Sequence, residues 1–181
     1  MEGRTLLEIG GGIGALQIEL LRAGASRAVS VEVTPTYERT ARELLGESGL
    51  SDRVERRVLD FAEAGGEVGP EDIVIMNRVV CCYPDVPTLI GRAAEHARQV
   101  MVVSYPQRRW WTRLAVGAGN AALQAARRHF QVFVHRPETI LATAAARGLT
   151  ATTVQPGPFW MVAELRRSPQ AAVVTPPGSR T

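Results

Sequence analysis

The sequence predicts an α/β fold built on a mostly parallel sheet, and three observations carry that reading. Short apolar runs alternate with segments of helical periodicity along most of the chain; such alternation makes βαβ units and a sheet covered on both faces. The first run, Thr5 to Ile9, ends on glycines, as a buried strand does. The last two runs are joined by only Pro156-Gly157-Pro158, too short for a crossover, so they are expected to pair antiparallel.

The elements follow in order. After the first strand, Ile13, Leu16, Leu20 and Leu21 recur at helical spacing, predicting a helix over Ile13 to Ala23 that Gly24 ends. A strand at Ala28 to Val33, a helix at Tyr37 to Leu45 and a strand at Val54 to Leu59 come next. Beyond the Gly- and Pro-containing stretch from Gly65 to Pro70, a fourth strand is read at Ile73 to Met76. Thr88 to Ala97 reads as a helix and Val100 to Ser104 as a fifth strand. The Ala-rich segment Trp110 to Arg128 has high helix propensity, and Pro137 to Arg147 has Pro in its first turn and Gly148 after its last. The closing strands are Thr150 to Gln155 and Trp160 to Leu165. One domain over residues 1–167 is expected, followed by a loose Pro-, Ser- and Gly-rich tail over 168–181.

Composition narrows the function classes. With 181 residues the chain holds one full hydrophobic core. Its 21 basic residues are all Arg, which excludes Schiff-base and P-loop lysine chemistry. A net charge of +3 gives no reason to invoke nucleic acid. No apolar run approaches the ~20 residues of a membrane helix, so neither membrane nor secretion is expected and a cytoplasmic protein is the default. No metal site is read. Cys81 and Cys82 are expected to fill core space.

The chemistry concentrates at Glu8-Ile9-Gly10-Gly11-Gly12-Ile13-Gly14. Glycine allows a sharp turn and lets a ligand approach the main chain, while the N–H groups of the following helix start face that ligand. Gly10, Gly12 and Ala15 also fit a dinucleotide-binding spacing, which leaves a nicotinamide-dependent oxidoreductase open. That alternative predicts a sixth parallel strand instead of a terminal hairpin. Glu8, two residues before the first glycine, favours a cationic ligand over a pyrophosphate. Glu32 closes the second strand, where an acid can accept two hydrogen bonds from ribose hydroxyls. Asp60 and Phe61 follow the third strand and offer an acceptor for an exocyclic amine and a ring to cover a purine. Asn77 ends the fourth strand, where reacting groups would meet.

These motifs, with the segment Glu71 to Asp85 (EDIVIMNRVVCCYPD), resemble the ordered motifs of class I S-adenosylmethionine-dependent methyltransferases. The resemblance covers Thr5 to about Leu165. It implies a Rossmann-like three-layer sandwich whose seven-stranded sheet has its last strand antiparallel. It also implies S-adenosylmethionine as cofactor, with the glycine turn on the methionine part, Glu32 on the ribose and Asp60 on the adenine. The N-R-V-V, S-Y-P and V-H-x-P segments further resemble small-molecule O-methyltransferases of the magnesium-protoporphyrin type, without fixing an acceptor. Family members usually carry helices before the first strand, whereas Met1 stands four residues before Thr5, so the chain is expected to be a fragment or to have a misplaced start, with its lid missing, or to take its lid from a partner. A small-molecule acceptor is expected; a homodimer and a non-catalytic, methyltransferase-like subunit stay open.

Methyl transfer asks mainly for positioning, with a base only where the acceptor must lose a proton. His135 is the candidate base and Tyr83 the candidate for orienting the acceptor. Tyr105, Trp110 and Trp111 are candidate pocket walls, and Asp85 is expected to cap the next helix.

Overall fold

The computed structural model describes residues 1–128 and 130–168. His129 and the tail expected after Ser168 lie outside the described residues. The strands are β1 (Thr5–Ile9), β2 (Arg27–Glu32), β3 (Val54–Val58), β4 (Glu71–Met76), β5 (Ala97–Pro106), β6 (Leu149–Pro156) and β7 (Trp160–Arg167). The helices are α1 (Ala15–Arg22), α2 (Glu38–Glu47), α3 (Phe61–Ala64), α4 (Val86–His96), α5 (Trp110–Ala125) and α6 (Pro137–Ala145).

The seven strands form one sheet in the order β3-β2-β1-β4-β5-β7-β6. From β3 to β5 every pairing is parallel, and β7 runs antiparallel to both β5 and β6. The predicted architecture is thus the observed one, and the terminal hairpin is present where the oxidoreductase alternative needed another arrangement. Neighbouring residues of a strand face opposite sides of the sheet. Leu6 accordingly joins a smaller core with Ile18, Leu21, Ala28 and Leu45 of α1, β2 and α2. Leu7 joins the larger core with Val74, Leu89, Ile90, Met101, Ile140 and Leu165, under α3, α4 and α6.

Several boundaries differ from expectation for identifiable reasons. α1 starts at Ala15, because Gly14 is left-handed (φ 84) and forms its N-cap. β4 begins at Glu71, hidden from pattern reading by two acids; Glu71 is buried and paired with Arg27 at 2.8 Å. β5 is longer than its apolar centre because β7 pairs along it from Val100 to Pro106. α5 stops at Ala125, with Arg127 left-handed at φ 54. α3 was not foreseen; Asp60 caps it by accepting from Ala62 N–H at 2.9 Å. No helix among the described residues is long and apolar enough to cross a membrane.

Candidate active site

Strand order reverses at β1, which is flanked by β2 on one side and β4 on the other. Open parallel sheets bind ligands at such a point, beyond the carboxyl ends of the strands. A cavity of about 480 Å³ lies there, lined by the ends of β1 and β2, the segment Leu59–Phe61, the turn after β4, and Phe130. Pockets of this size hold small organic ligands.

The glycine turn forms one wall. Gly10 and Gly12 are left-handed (φ 69 and 54), and Gly10 N–H donates to Val31 O at 2.7 Å. A Cβ on Gly12 would meet nothing within 4 Å, whereas one on Gly10 would overlap the Val79 side chain. Gly12 therefore leaves open space that a ligand can use, and Gly10 is required by packing.

Glu32 connects the turn to β2. Its Oε2 accepts from Gly12 N–H at 2.9 Å and its Oε1 from Val33 N–H at 3.0 Å. Glu8 lies behind the turn instead of in the cavity wall. It is buried, and a Cβ on Gly11 would be 2.8 Å from its Oε2. That oxygen has no hydrogen-bond partner among the described residues. Burial pushes the Glu8 carboxyl up to about 7; the Arg56 guanidinium and the Gln17 N–H oppose the rise, and the Glu32 charge adds to it. Both carboxylates thus flank the same bend, one at its surface and one beneath it.

On the opposite wall, Asp60 accepts from Tyr83 Oη with both carboxylate oxygens at 3.1 Å, and Phe61 is buried beside it. Burial and this hydrogen bond to Asp60 push the Tyr83 phenol up to about 12. His135 does not line the cavity; its Nε2 donates to Tyr83 O at 3.0 Å, and its ring stacks on Phe133. Burial lowers its pKa, so the ring is neutral at pH 7. Asn77 is also outside the wall, accepting from Ser104 Oγ at 2.9 Å. Arg78, left-handed at φ 61 with its guanidinium 5.3 Å from the Trp160 ring, occupies the wall in its place.

Other expectations resolve individually. Asp85 caps α4 through Thr88. Tyr105 is buried in the larger core and is not among the residues that line the cavity. Trp110 is 77% exposed, and Trp111 packs on Phe159. Cys81 is buried as expected, but Cys82 is exposed and lines the cavity, because the turn Val80–Cys82 ends the strand's alternation.

Arg56 was not anticipated. Lying in a Glu-Arg-Arg run, it reads as a surface residue, yet its side chain is only 5% exposed. It donates to Glu38 Oε1 at 2.9 Å, Ser30 Oγ at 3.2 Å and the Gly12 carbonyl at 3.0 Å. No sequence signal short of the β2–β3 register reveals this.

No family model matches the chain. A ribosomal protein L11 methyltransferase from Enterobacter sp. is 30% identical over 77 residues, 42% of this chain and 25% of that protein. One from Pectobacterium carotovorum is 34% identical over 55 residues, 30% of this chain and 19% of the relative. The chain thus spans about a quarter or less of these curated relatives. Among solved structures, magnesium protoporphyrin IX methyltransferase from Synechocystis, with bound S-adenosylhomocysteine, superposes with a TM-score of 0.74 at 18% identity. The match covers 92% of this chain and 75% of that one. An O-methyltransferase family protein from Burkholderia thailandensis gives 0.75 at 19% identity, covering 91% and 51%. With its strand order, its terminal hairpin and its cavity at the switch point, the chain has the fold of the S-adenosylmethionine-dependent methyltransferases.

Proposed function

We propose that the chain transfers a methyl group from S-adenosylmethionine to an oxygen, or failing that a nitrogen, of a small-molecule acceptor. The carrying observation is the convergence of Gly10, Gly12, Glu32, Asp60 and Phe61 on one cavity beside the glycine turn. The residues present fit the donor. Gly12 leaves open space, the orphaned Glu8 Oε2 and the Glu32 carboxylate favour a cation, and Asp60 with Phe61 suits an adenine edge and face. When bound, S-adenosylmethionine supplies a methyl group already activated by positive sulfur.

The protein's own part is to position and to manage a proton. Glu32 holds the turn and presents its carboxylate to ribose hydroxyls. Tyr83 keeps its proton at neutral pH and, tethered to Asp60, closes the opposite wall. His135, expected as the base, stands outside the cavity wall with its Nε2–H committed to the Tyr83 carbonyl, and its part is to hold the Tyr83 segment in place. Glu8 and Asn77 act from behind the wall, Glu8 by a carboxyl that is both proton-bearing and ionised around pH 7, and Asn77 by fixing the end of β4 through Ser104. Solved neighbours named as O-methyltransferases match over nine-tenths of the chain, which supports an oxygen acceptor. The shorter likeness to ribosomal protein L11 methyltransferases favours a second reading, a protein acceptor.

Calorimetry with S-adenosylhomocysteine tests the proposal. Wild-type protein is expected to bind, and Glu32→Ala to bind more weakly by about 1–3 kcal/mol, the cost of losing a buried hydrogen-bonding partner. A folded wild-type protein that does not bind refutes it. Binding with no turnover on any hydroxylated or protein acceptor leaves a non-catalytic subunit.

A further inference from the structure

The turn Val80–Cys82 carries two adjacent thiols. In an extended strand neighbouring side chains point to opposite faces, but here Cys81 Sγ and Cys82 Sγ lie 3.5 Å apart. Both also point at the Arg78 carbonyl, at 3.4 and 3.8 Å. The backbone holds them in this arrangement. Cys82 N–H donates to Val79 O at 2.8 Å, Phe133 N–H to Cys81 O at 2.7 Å, and Arg78 N–H to Ser104 Oγ at 2.7 Å. Cys82 is exposed and lines the cavity, while Cys81 is buried directly behind it.

The two sulfurs differ in character. A hydrogen bond from Cys81 pulls the Cys82 thiol down to about 7, and the same bond with burial raises Cys81. The exposed sulfur is therefore the nucleophile, since the thiolate is the reactive form, and the buried one retains a proton to release in a second step. Among the described residues no third His, Cys, Asp or Glu joins the pair. Two sulfurs do not complete a four-coordinate zinc site. They suit a soft centre that brings its own third substituent.

We propose that Cys81 and Cys82 form a dithiol site at the mouth of the cavity for a trivalent organoarsenical, held by both sulfurs at once. With an arsenic(III) oxide, two arsenic–sulfur bonds form and the arsenic–oxygen bond is lost. The two thiol protons leave with that oxygen as one water. Arsenic stays trivalent, so no oxidant or reductant takes part. Cys82 shares the cavity wall with Gly12 and Glu32. The adduct therefore competes with an adenosyl ligand, a consequence that rests on the function proposed above.

Phenylarsine oxide at one equivalent, followed by intact-mass spectrometry of the full chain, tests the site. One adduct is expected, reversed by a dithiol such as 2,3-dimercaptopropanol and resistant to the same concentration of a monothiol. Cys82→Ser, at an exposed position, and Cys81→Ser are each expected to lose the monothiol-resistant adduct while retaining the wild-type circular dichroism. If Cys81→Ser does not fold, Cys82→Ser decides alone. No adduct on the wild type, or a resistant adduct on the Cys82→Ser variant, overturns the proposal. Calorimetry then compares S-adenosylhomocysteine with and without the adduct; at least about tenfold weaker binding is expected, and unchanged binding overturns the competition. Failure of unmodified protein to bind S-adenosylhomocysteine counts against the methyltransferase reading, while the mass result still decides the dithiol site.

Discussion

Gly10 and Glu8 show how much a single position in the turn carries. Gly10 is left-handed, and a methyl group there would overlap Val79. Gly10→Ala is expected to lower stability by about 1–3 kcal/mol, measured by chemical denaturation. Glu8 makes a pH-dependent contribution of known sign. Its carboxyl titrates near 4.5 when unfolded and is pushed up to about 7 in the folded chain. The native state thus holds the proton more tightly, and stability falls as pH rises from 4.5 to 7. The full cost, up to about 3 kcal/mol, is present above that window. Glu8→Gln is expected to flatten this loss, and denaturation curves across the window check it; an unchanged slope would show that Glu8 is not its source. Glu8 and Glu32 were legible because each stands at a fixed offset from a strand end and the glycines. Arg56 was not, because a charged run says nothing about which of its members a neighbouring strand will cover.

Among the elements, α3 does more for the site than its four residues suggest. Asp60 both caps it and receives Tyr83 Oη from the turn after β4, so one carboxylate fixes two segments far apart in sequence. Asp60→Ala is expected to cost about 1 kcal/mol through the lost cap and to move the Tyr83 phenol down from about 12. Ultraviolet titration against the wild type reads that movement; an unmoved phenol would assign the whole rise to burial. The pair Asp60-Phe61 could be picked out from sequence by its place after β3. The helix itself could not, since a four-residue helix has too little periodicity to read and is defined by its cap and by the burial of Phe61.

Across the whole molecule, the βαβ alternation and the short Pro-Gly-Pro connection were enough to fix strand number and the sense of the hairpin. Where the hairpin docks is a tertiary fact: β7, not β6, lies against β5, because that strand brings Ala163 and Leu165 into the larger core. Arg167 secures the arrangement by donating to the carbonyls of Ala94, Ala97 and Arg147, tying β7 to the end of α4 and to the loop after α6. Arg167→Ala leaves these acceptors without that partner and is expected to cost about 1–3 kcal/mol in a single cooperative transition. Arg22→Ala removes only an exposed contact to Glu19 and is expected to change stability by less than about 0.5 kcal/mol. Thermal unfolding of the two variants side by side separates structural from ornamental arginines.

The hydrogen bond from Gly12 N–H to Glu32 means the mould is set before anything is cast in it. Ordering that loop is charged to folding and not to association, and each carboxylate oxygen, engaged once, keeps a lone pair in reserve for a hydroxyl guest.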